Sequence, residues 1–302
     1  MRIRILGSAA GGGFPQWNCG CGNCVAVRAK KFPGKARTQA QIALSGNGSQ
    51  WFLAGASPDL ARQIENSPDL HPRTLRDSPI AGVVLGSCDL DHVAGLLLLR
   101  ELQPLRVYAA PSILKILRDQ NSMFGMLNRV DRQVEWTPML GGHPFRLLGP
   151  DGEDGGLQCE AHYLSSRYPK YVKSEAGGRQ EATAALFFAS DAGKRVAYIP
   201  ALGSIGKELM EKIDGADILL FDGTFWSDDE LRRVKGSGET AHQMGHIPVE
   251  ESLDLLKDLR VGRKMFIHLN NTNPVLNETS REHRAVREAG WEVAEDNWQL
   301  EL

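Results

Sequence analysis

Three short stretches of this 302-residue chain collect side chains that can do chemistry. In "GSCDLDHVAGL" (86–96), Asp89, Asp91 and His92 crowd the end of the apolar run "IAGVVL". Such groups are costly to bury unless something pairs with them or binds between them. "ILLFD" ends on Asp222 and "MFIH" ends on His268. Taken singly, each is as well explained by a helix cap or a hydrogen-bonded core histidine. Three apolar strands that all end in Asp or His point instead to a metal: if the ends converge, Asp91, His92, Asp222 and His268 form its site. Cys88 flanks the cluster, but adjacent strand residues face opposite ways, which leaves it out.

A further stretch is "CGCGNC". Of the five cysteines, Cys19, Cys21 and Cys24 form a C-x-C-x-x-C motif, while Cys88 and Cys159 stand alone. In a reducing compartment such a cluster reads as a metal site rather than a disulfide framework. Three thiolates this close can take three corners of a zinc tetrahedron, and a closed sulfur-rich site of that kind is structural. The fourth ligand must come from elsewhere; His242 or His246, just before a helix expected near Pro248, is a suitable donor. The preceding "LGSAAGGGFPQW" resembles a phosphate loop only superficially. Nucleotide-binding glycine loops open a helix, whereas Pro15 and the cysteines follow here. It reads as a tight turn or a loop lining a pocket.

The elements that must position these residues are mostly short strands. "RIRIL" (2–6), "AQIAL" (40–44), "QWFLA" (50–54), "IAGVVLG" (80–86) and "LRVYAA" (105–110) come first. "LQCEAHYL", "ATAALFFAS", "RVAYIP", "ADILLFDG" and "KMFIH" follow. Helices are expected over "SPDLARQIEN", "VAGLLLLREL" and "HIPVEESLDLLKDLR", and over "TSREHRAVREAG", with Thr279 and Glu282 as a capping box and Gly290 as the stop. The glycine-rich 141–157 reads as a loop, and the polar 166–182 as a flap or hairpin. Two blocks of strands with interposed helices suggest packed sheets covered by helices. They imply a single domain over 1–302, with a cysteine-rich segment at about 14–26.

A net charge of −2 offers no field for nucleic acid or an acidic membrane. No apolar run approaches the roughly 20 residues that span a bilayer. The start "MRIRILG" alternates polar and apolar, unlike a signal peptide. These features lead to the expectation of a cytoplasmic protein with no nucleic-acid partner and no membrane insertion.

The strand–"SCDLDH"–helix pattern, with "FDGT" and a late "IHLNN", resembles the metallo-β-lactamase superfamily. That resemblance implies an α/β (α+β) αββα sandwich. The family's usual motif is H-x-H-x-D-H; here Ser87 and Asp89 stand where the two leading histidines would be. The cysteine motif resembles the structural zinc site of a phosphodiesterase-like branch. The fourth ligand there is a histidine upstream of a late helix, which matches His246 better than His242. The segments "MRIRILGSAAGGGFPQWNC", "CDLDHVAGLLLLRE", "GHIPV" and "IHLNNTNP" together resemble, over essentially the whole chain, a family that serves pyrroloquinoline quinone (PQQ) biosynthesis.

The resemblance implies an iron-dependent hydroxylase that uses O2 on the tyrosine-derived ring of a small-molecule substrate, a crosslinked Glu–Tyr precursor. Ordinary hydrolases of the superfamily hold two metals, and Ser87 and Asp89 weaken or abolish the second site. A further family histidine falls on Ser166 rather than His162, which is then a strand residue with a local partner. His92 and His268, with Asp91 or Asp222, resemble the facial ligand set of non-haem Fe(II) enzymes. Iron or manganese suits the carboxylates, although imidazole also admits zinc. Asp89, left unpaired by the missing metal, is a proton acceptor for the phenol or an anchor for the substrate amine. Lys170, Lys173 and Arg179 are candidates to meet substrate carboxylates. Two other functions fit the same residues: a non-catalytic carrier in the transport of PQQ or its precursor, and a phosphodiesterase-like metallohydrolase.

Overall fold

The computed structural model describes residues 1–164, 166–172 and 181–302. The strands run in chain order as β1 (Arg2–Gly7), β2 (Gln41–Ser45), β3 (Trp51–Ala54), β4 (Ile80–Leu85), β5 (Leu105–Ala109), β6 (Val134–Pro138) and β7 (Phe145–Leu148). Then come β8 (Asp154–Leu164), β9 (Thr183–Ser190), β10 (Arg195–Ile199), β11 (Ile218–Asp222), β12 (Arg263–Ile267), β13 (Glu292–Val293) and β14 (Gln299–Glu301). They form two seven-stranded mixed sheets, ordered β14-β1-β2-β3-β4-β5-β6 and β13-β12-β11-β10-β9-β8-β7.

The chain divides into two compact units. One comprises Met1–Leu6, Gln41–Arg195 and Asn297–Leu302; the other comprises Gly7–Ala40 and Val196–Asp296. In the first unit, β3 to β6 pair in parallel. Every residue of "IAGVVL" is buried, as a parallel strand covered on both faces requires. Leu53, Val83, Leu85, Val107, Ile113 and Leu117 belong to one continuous apolar core there, and Cys88 lies in it. β7, β8 and β9 pair antiparallel, and β8 alternates between buried and more exposed positions as a half-covered strand should. The second unit holds the parallel strands β10 to β13. Phe266 stacks on Trp291 with ring centroids 4.2 Å apart, and Phe221 meets the same ring edge-on.

Most expected strands appear within a residue or two of their sequence limits, because runs of β-branched and apolar residues have few alternatives. Four expectations need correction. The segment 141–157 is not all loop. β7 and the start of β8 lie in it, joined by a tight turn in which Gly149 N–H donates to the Glu153 carbonyl (2.7 Å) and Gly152 takes φ 81°. The expected helix over "VAGLLLLREL" is instead one short α-turn at Leu90–Val93 followed by 3-10 turns over Ala94–Leu99. The late helix is capped by Ser280 rather than Thr279: the Ser280 hydroxyl accepts from His283 N–H at 2.9 Å. The helix at Pro248 is also shorter than its apolar spacing suggested, spanning Val249–Leu255 with Pro248 as its N-cap. Of the expected flap, residues 173–180 lie outside the described residues, and with them Lys173 and Arg179.

Candidate metal centres

β4 delivers "SCDLDH" to its C-terminal end. Asp89 is the N-cap of the short Leu90–Val93 helix, so Asp91 and His92 sit in its first turn. His92 is buried, with its carbonyl accepting from Ala56 N–H (2.7 Å). Ser87 Oγ accepts from Asp89 N–H at 3.3 Å and lies 2.9 Å from His92 Nδ1. The opposite ring nitrogen, Nε2, stands 3.8 Å from Asp91 Oδ2. Ser87, a departure from the superfamily histidine, therefore orients an imidazole here. Asp89 is not left without a partner, contrary to the expectation drawn from the missing metal. Cys88 is fully buried in the apolar core, and burial with the nearby Asp89 charge pushes its thiol up to about 12. It is inert structure.

In the second unit, the parallel register pairs Asp222 with Ile267, so β11 and β12 end at the same edge and His268 follows at once. Asp222 is fully buried, and protein donors occupy both its oxygens. Oδ1 accepts from Thr224 N–H (3.0 Å) and Thr224 Oγ1–H (2.6 Å); Oδ2 accepts from Leu202 N–H (3.0 Å) and lies 2.8 Å from His246 Nδ1. Thr224 Oγ1 is also 2.8 Å from His268 Nδ1. Its single proton goes to the Asp222 carboxylate, so toward His268 the hydroxyl must accept. Nδ1 of His268 then carries the proton and Nε2 the lone pair. An outer partner that fixes the tautomer in this way is how metal-binding histidines are prepared. His246 and His268 lie face to face with ring centroids 5.8 Å apart, and Phe225 packs edge-on against His246. His268 adopts φ 61°, a left-handed conformation uncommon outside glycine and frequent where function holds a residue in place.

Asp222, His246 and His268 each offer a ligand atom within 4.8 Å of the others, and so do Cys19, Cys21 and Cys24. His246 was expected at the cysteines and is instead beside Asp222 and His268. His242, the alternative, pairs with Glu251 at 3.0 Å. The side chain that does reach all three sulfurs is Asn271, whose amide Nδ2 lies 3.1, 3.5 and 3.3 Å from Cys19, Cys21 and Cys24. Sequence reasoning missed it because asparagine is not a usual zinc ligand. The available signal was the second Asn of "IHLNN", three residues beyond His268. Burial pushes the Cys24 thiol up to about 11, so a thiolate there needs a cation to offset it. At Cys19 burial acts the same way, but hydrogen bonds from the Cys21 backbone and neighbouring side chains outweigh it and bring the thiol below its ordinary value.

The glycine turn binds its own chain. Gly12 N–H donates to Gln39 Oε1 at 3.1 Å and Gly13 N–H to the Ala10 carbonyl at 3.0 Å, which engages amides that a phosphate would need. His162 lies in β8 opposite Ala185, Ser166 is in the following coil, and Lys170 is exposed. No helix among the described residues is long and apolar enough to cross a membrane.

Comparison with known proteins converges on one lineage. A family model described as a Beta-lactamase superfamily domain matches residues 50–269. Coenzyme PQQ synthesis protein B of Rhodopseudomonas palustris is 41% identical over 312 residues, with 100% of both chains covered. The protein of that name from Gluconacetobacter diazotrophicus is 41% identical over 303 residues, covering 98% of each. Among solved structures, Zn(2+)-bound PqqB from Methylobacterium extorquens superposes with a TM-score of 0.92 at 41% identity over 100% of both chains. A diphosphatase from the PhnP family shares the fold at a TM-score of 0.69 and 19% identity, covering 100% of this chain and 97% of its own. The expected metallo-β-lactamase architecture of two mixed sheets flanked by helices is thereby shown. With likeness of this extent along its whole length, the chain belongs to the coenzyme PQQ synthesis protein B family, within the β-lactamase superfamily.

Proposed function

We propose that this protein acts in PQQ biosynthesis as a metal-dependent hydroxylase of the tyrosine-derived ring of a crosslinked Glu–Tyr precursor. Its catalytic metal would be held by His92 and His268 with the carboxylates of Asp91 and Asp222, and His246 adds a third imidazole to that set. The observation that carries the reading is the chain Asp222–Thr224–His268, which commits the Nε2 lone pair of a buried imidazole to a ligand. Imidazole and carboxylate without thiolate suit iron, with manganese or zinc as competitors. Bound iron supplies O2 binding and reduction.

The chain's own residues do the rest. Ser87 orients His92 and Thr224 orients His268. Asp89, beside the cluster, takes the phenolic proton or anchors the substrate amine, and Lys170 is a candidate partner for a substrate carboxylate. Full-length relatives named for PQQ synthesis support the pathway assignment. The absence of the two leading histidines supports one metal rather than a bridged pair, and so oxygen chemistry over two-metal hydrolysis.

The test is an ¹⁸O experiment on protein reconstituted anaerobically with iron, manganese or zinc. Iron-loaded protein should consume O2 and place label from O2, not from water, in the precursor ring; His92→Ala and His268→Ala should abolish both. Label from water alone would convert the reading to a hydrolase. Tight binding of PQQ or its precursor with no O2 consumed under any metal would convert it to a carrier.

A further inference from the structure

We propose that the N-terminus of the helix Pro111–Asp119 is a carboxylate-binding subsite beside the metal loop, and that Glu181 fills it until a substrate carboxylate takes its place. The proposal rests on the reading of the substrate as a carboxylate-bearing Glu–Tyr precursor, and names the residues that receive one of its acid groups.

β4 and β5 are parallel, with Leu85 opposite Ala109, so the loop carrying Ser87 and His92 and the start of this helix leave the sheet at the same edge. Adjacent strands lie about 5 Å apart, which sets the two side by side. The nine-residue helix has no cap of its own making. Its N-cap is Ala110, which offers no side-chain acceptor, and Pro111 lacks an N–H, so Ser112 supplies the first amide of the helix. Aligned peptide dipoles give such an end roughly half a positive charge, which an anion stabilises.

The anion found there belongs to a distant part of the chain. Glu181 Oε2 accepts from Ser112 N–H at 3.1 Å, across 69 residues. It fits imperfectly. Ser112 is 3% exposed, yet its hydroxyl has no hydrogen-bond partner among the described residues. A buried hydroxyl left unmet costs free energy that a second acceptor recovers. A carboxylate free to choose its pose can accept from the Ser112 amide with one oxygen and from the hydroxyl with the other. Glu181, tethered by its own backbone, meets only the amide.

That tether also ties the subsite to the metal loop. Ala184 N–H donates to the Gly86 carbonyl (2.7 Å), and Thr183 forms an antiparallel bridge with Ser87, the residue that orients His92. Glu181 and Thr183 are two residues apart, at most roughly 7 Å of chain, so a molecule held at Ser112 is within reach of the loop. Both anchors lie after Glu181, and its side chain can leave the helix without breaking either.

The test titrates zinc-loaded full-length protein, without O2, with the crosslinked precursor, with the same precursor carrying amides in place of its carboxyls, and with glutarate. The Ser112 amide resonance should move with the precursor and with glutarate, and not with the amide form. Glu181→Gln and Glu181→Ala should bind the precursor about three- to tenfold more tightly than wild type, the worth of one displaced hydrogen bond. Ser112→Ala should bind it about tenfold more weakly, as loss of a hydrogen bond to a charged group requires. Affinity for the amide form should be unchanged in all three. A Glu181 that merely caps the helix would give variants of lower thermal stability, no gain in precursor affinity and a stationary Ser112 resonance, and that result overturns the proposal. Should neither wild type nor Glu181→Ala bind the precursor in either form, the substrate reading fails, and glutarate alone decides the subsite. A Ser112 shift in Glu181→Ala that weakens on adding Ser112→Ala sustains it; no shift overturns it. Glu181→Gln keeps the shape of the side chain and one acceptor, so it carries the test even if Glu181→Ala does not fold.

Discussion

A single hydroxyl decides the tautomer of His268. Thr224 gives its proton to Asp222 at 2.6 Å and accepts from His268 at 2.8 Å. Thr224→Val removes that relay at nearly constant volume. Strand-end metal affinity should fall about ten- to a hundredfold, the usual cost of losing an outer partner. Thr224→Ser should restore it, and calorimetric titration of metal into both variants checks the pair. Glu230 makes a separate pH prediction. It is 4% exposed, accepts from Trp226 N–H at 2.7 Å and from the Thr272 hydroxyl, and burial pushes its carboxyl from 4.5 up to about 7. The folded chain then binds this proton more tightly than the unfolded chain does. Glu230 therefore lowers stability progressively as pH rises from its unfolded value to its folded one, and not further above that. The drop should be on the order of 3 kcal/mol. Urea unfolding at fixed metal load, compared with Glu230→Gln, should show that slope in the wild type alone.

At the scale of elements, a short helix carries Asp91 and His92 only because it can lie against the turn after β3. Gly95 N–H donates to the Ala56 carbonyl (2.8 Å), and Ala56 N–H donates to the His92 carbonyl (2.7 Å). A Cβ on Gly95 would stand 2.2 Å from the Ser57 carbonyl oxygen, a backbone atom that cannot swing aside. The requirement for glycine here is close approach. Gly95→Ala should cost about 1–3 kcal/mol by overpacking and should also weaken metal binding by shifting His92. Chemical denaturation and metal analysis check the two effects separately; unchanged metal affinity would mean that the helix does not transmit the shift. The segment after β12 is tied down just as closely. Its asparagines at 270, 271 and 273 engage Thr272, the three thiols and the Gly223 carbonyl in turn.

At the scale of the whole molecule, the decisive feature is the number of metals. Ser87 and Asp89 replace the leading histidines of the superfamily motif, and Ser87 serves the remaining imidazole instead. Wild-type protein should hold one tightly bound strand-end metal beside the cysteine-bound zinc. The double variant Ser87→His with Asp89→His should gain a second strand-end metal and some turnover of a generic phosphodiester. Metal stoichiometry by mass spectrometry and a chromogenic phosphodiester assay check this. No gain of metal would mean that the lost histidines are not what limits the site.

How far the sequence reaches follows the range of the interaction involved. Buried strands such as "IAGVVL" and "ILLFD" were legible because a continuous apolar run with donors at its end carries its own meaning. β7 was hidden in a glycine-rich stretch, since four residues cannot display a period, and the Leu-rich run after His92 lost its helix to the close approach at Gly95. The chemistry of the site was legible as donor types: C-x-C-x-x-C sets three sulfurs together by spacing alone, and "LDH" sets a carboxylate beside an imidazole. The partner of each cluster was not legible. His246 lies far along the chain from both the cysteines and Asp222's strand end, and Asn271 farther still from the cysteines. The parallel register of β11 and β12 brings His268 beside Asp222, and the Ile247 N–H bond to the Leu202 carbonyl holds His246 against the same carboxylate. The backbone grip of Asn23 on Asn271 brings the amide to the thiols.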